Sequence, residues 1–338
     1  MLAPGRRKDG SGDGPPARPA WRRFGDPLLK LMVSGGLLYW LLSQSDLQAF
    51  GRVLGRTDVA LFAAAACFFV LSNVLGAGQW YLLLRGQSLA VSPGQTAVVY
   101  WVGVFFNNLL PGNIGGDAVR IYDVRRLTGA TGRAAAATFM DRFIGLFSTC
   151  CLALGACALV AEVRRPGLVT LLGTVWLTLA AMLAMGLSRR LGRVRAFLGL
   201  LLPRRLAAGV ERLRSSIAVY REQTGLLAAA WAVSLGVQFS RILVYWAAGL
   251  AVGLEVGLRY FMGFQPAAAI VAALPISVGG LGVREGVLVE LFGGIGVEES
   301  LAFAASLLGY AAGISASALG GIAFVLRRTG PRPEPRAA

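Results

Sequence analysis

Seven charged side chains stand where the chain is otherwise apolar. Asp117 and Arg120 close LPGNIGGDAVR (110–120). Asp141 and Arg142 lie in FMDRFIGL (139–146), and Arg241 in VQFSRILVYW (237–246). Arg284 and Glu285 end LPISVGGLGVRE (274–285). Guanidinium groups suit phosphate oxygens. A helix that begins after Gly-Gly offers free N–H groups and partial positive charge to an anion, and glycine lets that anion approach the backbone. The chemistry these residues suggest is therefore anion recognition, phosphate above all. Gly115 and Gly116 precede Arg120, and Gly279 and Gly280 precede Arg284. Asp117 and Glu285 either orient basic groups or only neutralise them.

Charges deep in an apolar helix mark a functional site or a buried pair. Asp141 and Arg142 are neighbours on one helix and do not face each other, so each needs a partner elsewhere. Arg241, close to Gln238 and Ser240, is read as functional; for Asp141 a structural pair is an equal reading. Asn107, Asn108 and Asn113 flank Pro111, and Ser277 follows Pro275. The asparagines either satisfy freed backbone groups or line a cavity.

No catalytic constellation emerges. Histidine is absent, there is no Asp-x-Asp pair for a nucleotide sugar, and Cys67, Cys150, Cys151 and Cys157 sit in apolar runs without metal-ligand spacing. Buried cysteines behave as small apolar residues. The expectation is a non-enzyme with no cofactor, metal or disulfide.

The elements that must position these groups follow from composition. Of 338 residues 56% are hydrophobic and only 15% charged, with mean hydropathy +0.63. Uncharged runs approach or exceed the roughly 20 residues that cross a bilayer. The chain reads as an all-α polytopic membrane protein. The net charge of +16 resides almost wholly in arginines between apolar runs, which fits a positive-inside bias and attraction to anionic headgroups rather than nucleic acid.

Six spans are expected, at 28–45, 58–84, 133–160, 167–187, 225–253 and 300–326. They are preceded by a disordered basic tail (1–27) and followed by a basic tail (327–338). A cytoplasmic amphipathic connector is expected at 188–224. Segments 94–127 and 259–293 are each broken by Leu-Pro and paired glycines. If 94–127 spanned, Arg120, Arg125, Arg126 and Arg133 would face outward; if it dips in and returns, they stay inside. With both segments as re-entrant hairpins, and both termini cytoplasmic in the plasma membrane, the strongly basic segments fall on one side. The exception is the short loop with Arg164 and Arg165.

Sliding the chain along itself by one constant offset places Leu110, Pro111, Gly115, Gly116, Val119 and Arg120 on Leu274, Pro275, Gly279, Gly280, Val283 and Arg284. The same offset brings flanking spans into register. Each repeat (28–160 and 167–326) then holds three spans and one hairpin, so the second copy is inverted. In that architecture broken helices meet near the midplane, where backbone breaks are tolerated only in a buried or polar setting.

NNLLPGNIGGDAVRIY, AAATFMDRFIGL and ALPISVGGLGVREG, in that order, resemble the flippase-like transmembrane family named for lysylphosphatidylglycerol synthase. The resemblance covers about 28–326. It implies a lipid translocase, or an accessory protein for lipid-linked products, with roles for Pro111–Arg120, Asp141–Arg142 and Pro275–Glu285. The founding members carry a further cytosolic aminoacyl-transferase domain. Only twelve residues follow Leu326, so synthase activity is not expected here. The expected partner is an anionic phospholipid or polyprenyl-linked lipid, held by Arg120, Arg284 and the half-helix N-termini. A lipid or glycan synthesis enzyme is the other candidate partner. Oligomeric state is not legible.

Overall fold

The structure is a computed structural model that describes residues 55–109, 115–187, 218–274, 277 and 280–326. The expected first span, the two tails and most of the connector lie outside the described residues. So do Pro111, Asn113, Pro275 and Gly279.

The described residues form α1 (Val59–Gly86), α2 (Pro93–Leu109), α3 (Gly115–Thr128), α4 (Thr131–Leu159), α5 (Pro166–Leu187), α6 (Thr224–Ala251), α7 (Leu258–Ala272), α8 (Val283–Gly293) and α9 (Glu299–Leu326). Two 3₁₀ turns, Ala161–Val163 and Val219–Glu222, complete them, and there is no strand among them. Helices α1, α4, α5, α6 and α9 are long and apolar enough to cross a membrane. They match five of the expected spans to within a turn at each end.

Polar side chains fix where these helices start and stop. The Asp58 carboxylate accepts from the Ala60 and Leu61 N–H groups at 2.8 and 3.1 Å, an N-cap that opens α1. At its other end the Tyr220 hydroxyl donates to the Leu83 carbonyl (2.8 Å), Gln223 to Gly86 (3.0 Å) and Arg133 to Gln87 (3.3 Å). Burial pushes the Tyr220 phenol above its ordinary pKa, which keeps it a donor. The two arginines that broke the charge rule have a structural use. Arg164 donates to the carbonyls of Cys157 and Ala158 at the end of α4, at 2.9 and 2.8 Å. Arg165 donates to Leu291 in α8 (3.0 Å) and lies 5.6 Å from the Phe264 ring centre. Basic side chains at helix C-termini satisfy orphan carbonyls.

The described arms of each broken segment pack as an antiparallel pair of helices. In the first, the Gly116 N–H donates to Asn107 Oδ1 at 2.9 Å, and the stem of Arg120 lies on Gly103. In the second, the rings of Phe261 and Phe264 stand 4.9 and 5.3 Å from that of Phe292. The arms have 17, 14, 15 and 11 residues. That is roughly 16 to 26 Å of helix, short of a hydrocarbon core of about 30 Å. Gly280 and Gly282 have φ of 78° and 81°, a left-handed conformation that side chains with a Cβ adopt at a cost.

Helices α1 and α6 are both 28 residues long and hold equivalent places in the two halves of the chain. They pack antiparallel. At one end the Asp58 N–H donates to the Ala251 carbonyl at 2.8 Å; at the other Gln223 donates to Gly86. Exchanging α1 with α6, α2 with α7, α3 with α8 and α4 with α9 leaves the pattern of packed neighbours among these eight helices unchanged. In particular α2 packs on α9, and α7 on α4. The contact of Arg133 with Gln87 gathers the open ends of α2/α3 beside the end of α1. That of Arg165 with Leu291 places the open ends of α7/α8 at the opposite end of the bundle. Helix α5 packs against α4, where Trp176 stacks on Phe147 at 5.6 Å.

Candidate functional site

The first hairpin carries Arg120 into the protein. Gly103 in α2 has no Cβ, and a methyl there would stand 2.5 Å from Arg120 Cγ. Gly116 in turn backs directly onto the Gly103 carbonyl. The small residues of NIGGD and WVGV thus let the two arms touch, and the Arg120 stem runs across α2. Its guanidinium is buried, 2.8 Å from Asp141 Oδ2. Its carbon centre lies 4.1 Å from the ring centre of Trp80 and 4.6 Å from that of Tyr100. The other Asp141 oxygen accepts from Gln79 Nε2 at 3.0 Å. Four helices, α1 to α4, meet on this one cation.

The network extends outward. Asp117 lies 3.5 Å from Arg120 and accepts from Arg142 through both oxygens, at 2.9 and 3.0 Å. The Arg142 side chain is 48% exposed. Asp141 and Arg142 therefore take separate partners, as their adjacency requires, and Asp117 belongs chiefly to Arg142 rather than to Arg120.

The second hairpin repeats the plan with different side chains. Arg284 donates to the Tyr245 hydroxyl and lies 5.1 Å from the Tyr310 ring centre. Tyr245 holds the same position in α6, counted from Thr224, that Trp80 holds in α1, counted from Val59. An aromatic partner of each arginine therefore comes from the equivalent helix. The fully buried Glu285 turns to the backbone, accepting from the Gly282 N–H at 2.7 Å and from Ser306 at 3.5 Å. Ser277 is buried nearby in sequence, and Asn108 is half-buried at the first break.

Two expectations change in substance. The N-terminus of α8 is occupied by its own Glu285, and that of α3 by Asn107, with Asp117 in its first turn. Neither presents a bare row of N–H groups. Arg120 is likewise engaged by Asp141 and two rings. Arg241, in the interior of α6, is half-buried and makes no hydrogen bond or ion pair with the described residues. Its charge acts on the Tyr100 phenol together with those of Asp141, Arg120 and Arg142.

Sequence reasoning missed Gln79, Trp80, Tyr100, Tyr245 and Tyr310. Gln79 was findable as a polar residue inside an apolar span. The aromatic rings were not, since nothing marks a ring as the lid of a cation. A shallow open recess of about 480 Å³, lined by Tyr81, Arg85, Ser88 and Leu89 among others, lies apart from these groups at the end of α1.

Residues 28–320 match the family described as Lysylphosphatidylglycerol synthase TM region. The chain belongs to this family. It is also similar to the UPF0104 membrane protein PH1989 of Pyrococcus horikoshii, 22% identical over 304 residues that cover 83% of this chain and 90% of that protein. Family and helices together make it an integral membrane protein, and the family's name points to lipid as its setting.

Proposed function

We propose that the protein is a non-enzymatic lipid transporter of the plasma membrane, moving an anionic phospholipid or polyprenyl-linked lipid between leaflets. The reading is carried by one observation: two short helical hairpins open at opposite ends of one bundle, each laid on a long helix of the other half. Antiparallel packing of the equivalent helices α1 and α6 supports an inverted repeat. In such folds re-entrant helices from the two faces bound a midplane site, and rocking of one repeat against the other alternates access. The headgroup would enter between the hairpins on the side of Asp117, Arg142 and Arg241, while the tails stay in lipid. Both termini are assigned to the cytoplasm.

The test is a headgroup-accessibility assay with the purified full chain in proteoliposomes. Exposure of inner-leaflet anionic lipid, faster than in protein-free vesicles, is the expected result. Folded protein that exposes no candidate lipid would overturn the reading.

A second reading, a non-catalytic partner subunit of a lipid or envelope-glycan enzyme, is favoured by the occupied N-termini of α3 and α8. At each of those ends one backbone N–H is already bonded to a side chain of the protein. Stable co-purification with a synthase, and no transport alone, would select it.

A further inference from the structure

One packed pair of helices has no counterpart. Under the exchange of α1 with α6, α2 with α7, α3 with α8 and α4 with α9, each packed pair among these eight helices falls on another packed pair. Helix α5 packs on α4. Its image under the same exchange is a helix lying on α9, and among the described residues none holds that place.

The place is an open apolar face. Ile314, Leu319 and Ile322 of α9 are 44%, 49% and 55% exposed, and Ala311, Ser315 and Ala318 are exposed beside them. Their spacing of three and four puts them on one side of the helix. On α4, Trp176 of α5 stacks on Phe147 and donates its Nε1–H to Cys151 Sγ at 3.3 Å. In the register that puts Arg120 on Arg284, Phe147 falls on Ala311 and Cys151 on Ser315. Both equivalents are exposed. Ser315 donates to the Ala312 carbonyl at 3.0 Å, which leaves its oxygen able to accept, as Cys151 sulfur does.

We propose that residues 28–45 cover this face of α9, antiparallel to it, as α5 covers α4. The occupant follows from chain order. These residues precede α1 as α5 precedes α6, carry no charge apart from Lys30, and hold one tryptophan, Trp40, near their middle. Trp176 stands near the middle of α5. Trp40 would then lie over Ala311, where a small residue leaves room for it, with Ser315 as its acceptor. The connection also reaches. The start of α1 meets the end of α6, and Tyr245 near that end packs on Gly309 of α9. At up to about 3.5 Å per residue, residues 46–58 extend roughly 40 Å. Two helix-to-helix steps, from α1 across α9, need only about 20 Å. The proposal rests on the inverted repeat and is independent of the cargo.

The experiment is cross-linking of the full chain in membranes, in a cysteine-free background, with a short bismaleimide. Gly35→Cys, Leu38→Cys or Leu42→Cys is combined with Ala311→Cys, Ser315→Cys or Ala318→Cys. Links within one chain are expected, strongest for Leu42→Cys with Ala311→Cys and for Gly35→Cys with Ala318→Cys, the order that an antiparallel seat requires. Trp176→Cys with Cys151 restored should link in a parallel preparation and reports that the bundle is folded. Links to Leu177→Cys on α5 in place of α9 would overturn the proposal. So would links only between two chains, which would make a second copy the occupant, or none at all on α9, which would leave the face to lipid. The reverse order of links would overturn the antiparallel seat and the inverted repeat with it.

Melting curves give a second readout. Ala311→Phe should lower the melting temperature by a few degrees, because it fills the space assigned to Trp40. Trp40→Ala should lower it as well, and the double change should recover part of the loss. An unchanged melting temperature for Ala311→Phe would mean that the face is open, against the proposal. Lipid movement is scored separately in proteoliposomes. Links in a protein that moves no lipid would sink the transport reading and leave the seat on α9 standing.

Discussion

Arg120 of α3 and Asp141 of α4 meet at 2.8 Å in a space closed by Trp80, Tyr100 and Gln79. This pair ties the first hairpin to α4 and to α1. It is a fixed joint rather than an open receptor. A buried pair of this kind contributes little net stability against an apolar replacement, yet losing one member strands the other.

Asp141→Ala should therefore cost about 3–5 kcal/mol, since it leaves a buried guanidinium uncompensated. The double change Arg120→Met with Asp141→Ala should be milder than Asp141→Ala alone. Thermal or denaturant unfolding in detergent checks both. A double mutant worse than the single would mean that Arg120 has a second strong partner.

The outer pair behaves differently. Arg142 is nearly half exposed, so a double-mutant cycle on Asp117 and Arg142 should give a coupling below about 1 kcal/mol. A coupling of several kcal/mol would show that the site is drier than its geometry suggests.

Glycines at the hairpins should tolerate no side chain. At Gly280 a Cβ would stand 2.6 Å from that of Ala272, at a φ of 78°. At Gly116 it would collide with the Gly103 carbonyl. Gly280→Ala and Gly116→Ala should each cost about 1–3 kcal/mol through overpacking. Gly78 in α1 has open space around it, and Gly78→Ala should stabilise by up to about 1 kcal/mol. Melting curves of the three variants decide this.

The proposed re-entrant path for both broken segments makes a topological prediction. In a cysteine-free background, single cysteines at Ser92 and Ala130 should react with a membrane-impermeant maleimide from the same face, the cytoplasmic one. Cysteines at Gly257 and Gly294 should react from the opposite face. Labelling of Ser92 and Ala130 from different faces would mean that the first segment crosses the membrane.

Sequence by itself determined the broad plan. Five spans were legible because a run of about 20 uncharged apolar residues has few fates outside a bilayer. The hairpin breaks were legible because Pro and paired Gly end helices wherever they fall. The sequence likeness of the two broken segments was legible because Arg120 and Arg284 each follow the same Leu-Pro and Gly-Gly spacing. Asp141 and Arg142 had to find separate partners because adjacent helix positions diverge.

Which partners they found was decided only by the tertiary structure. Side chains far apart in sequence meet only through helix packing, and that packing turns on small residues such as Gly103 and Gly116. It closed Arg120 between two rings and against Asp141, engaged the N-termini of α3 and α8 with Asn107 and Glu285, and put Arg164 and Arg165 on helix carbonyls. Arg241 was left without a partner among the described residues. The sequence offered seven charges of equal standing, and three-dimensional neighbourhood gave Arg120 and Arg142 carboxylate partners and turned Glu285 to the backbone.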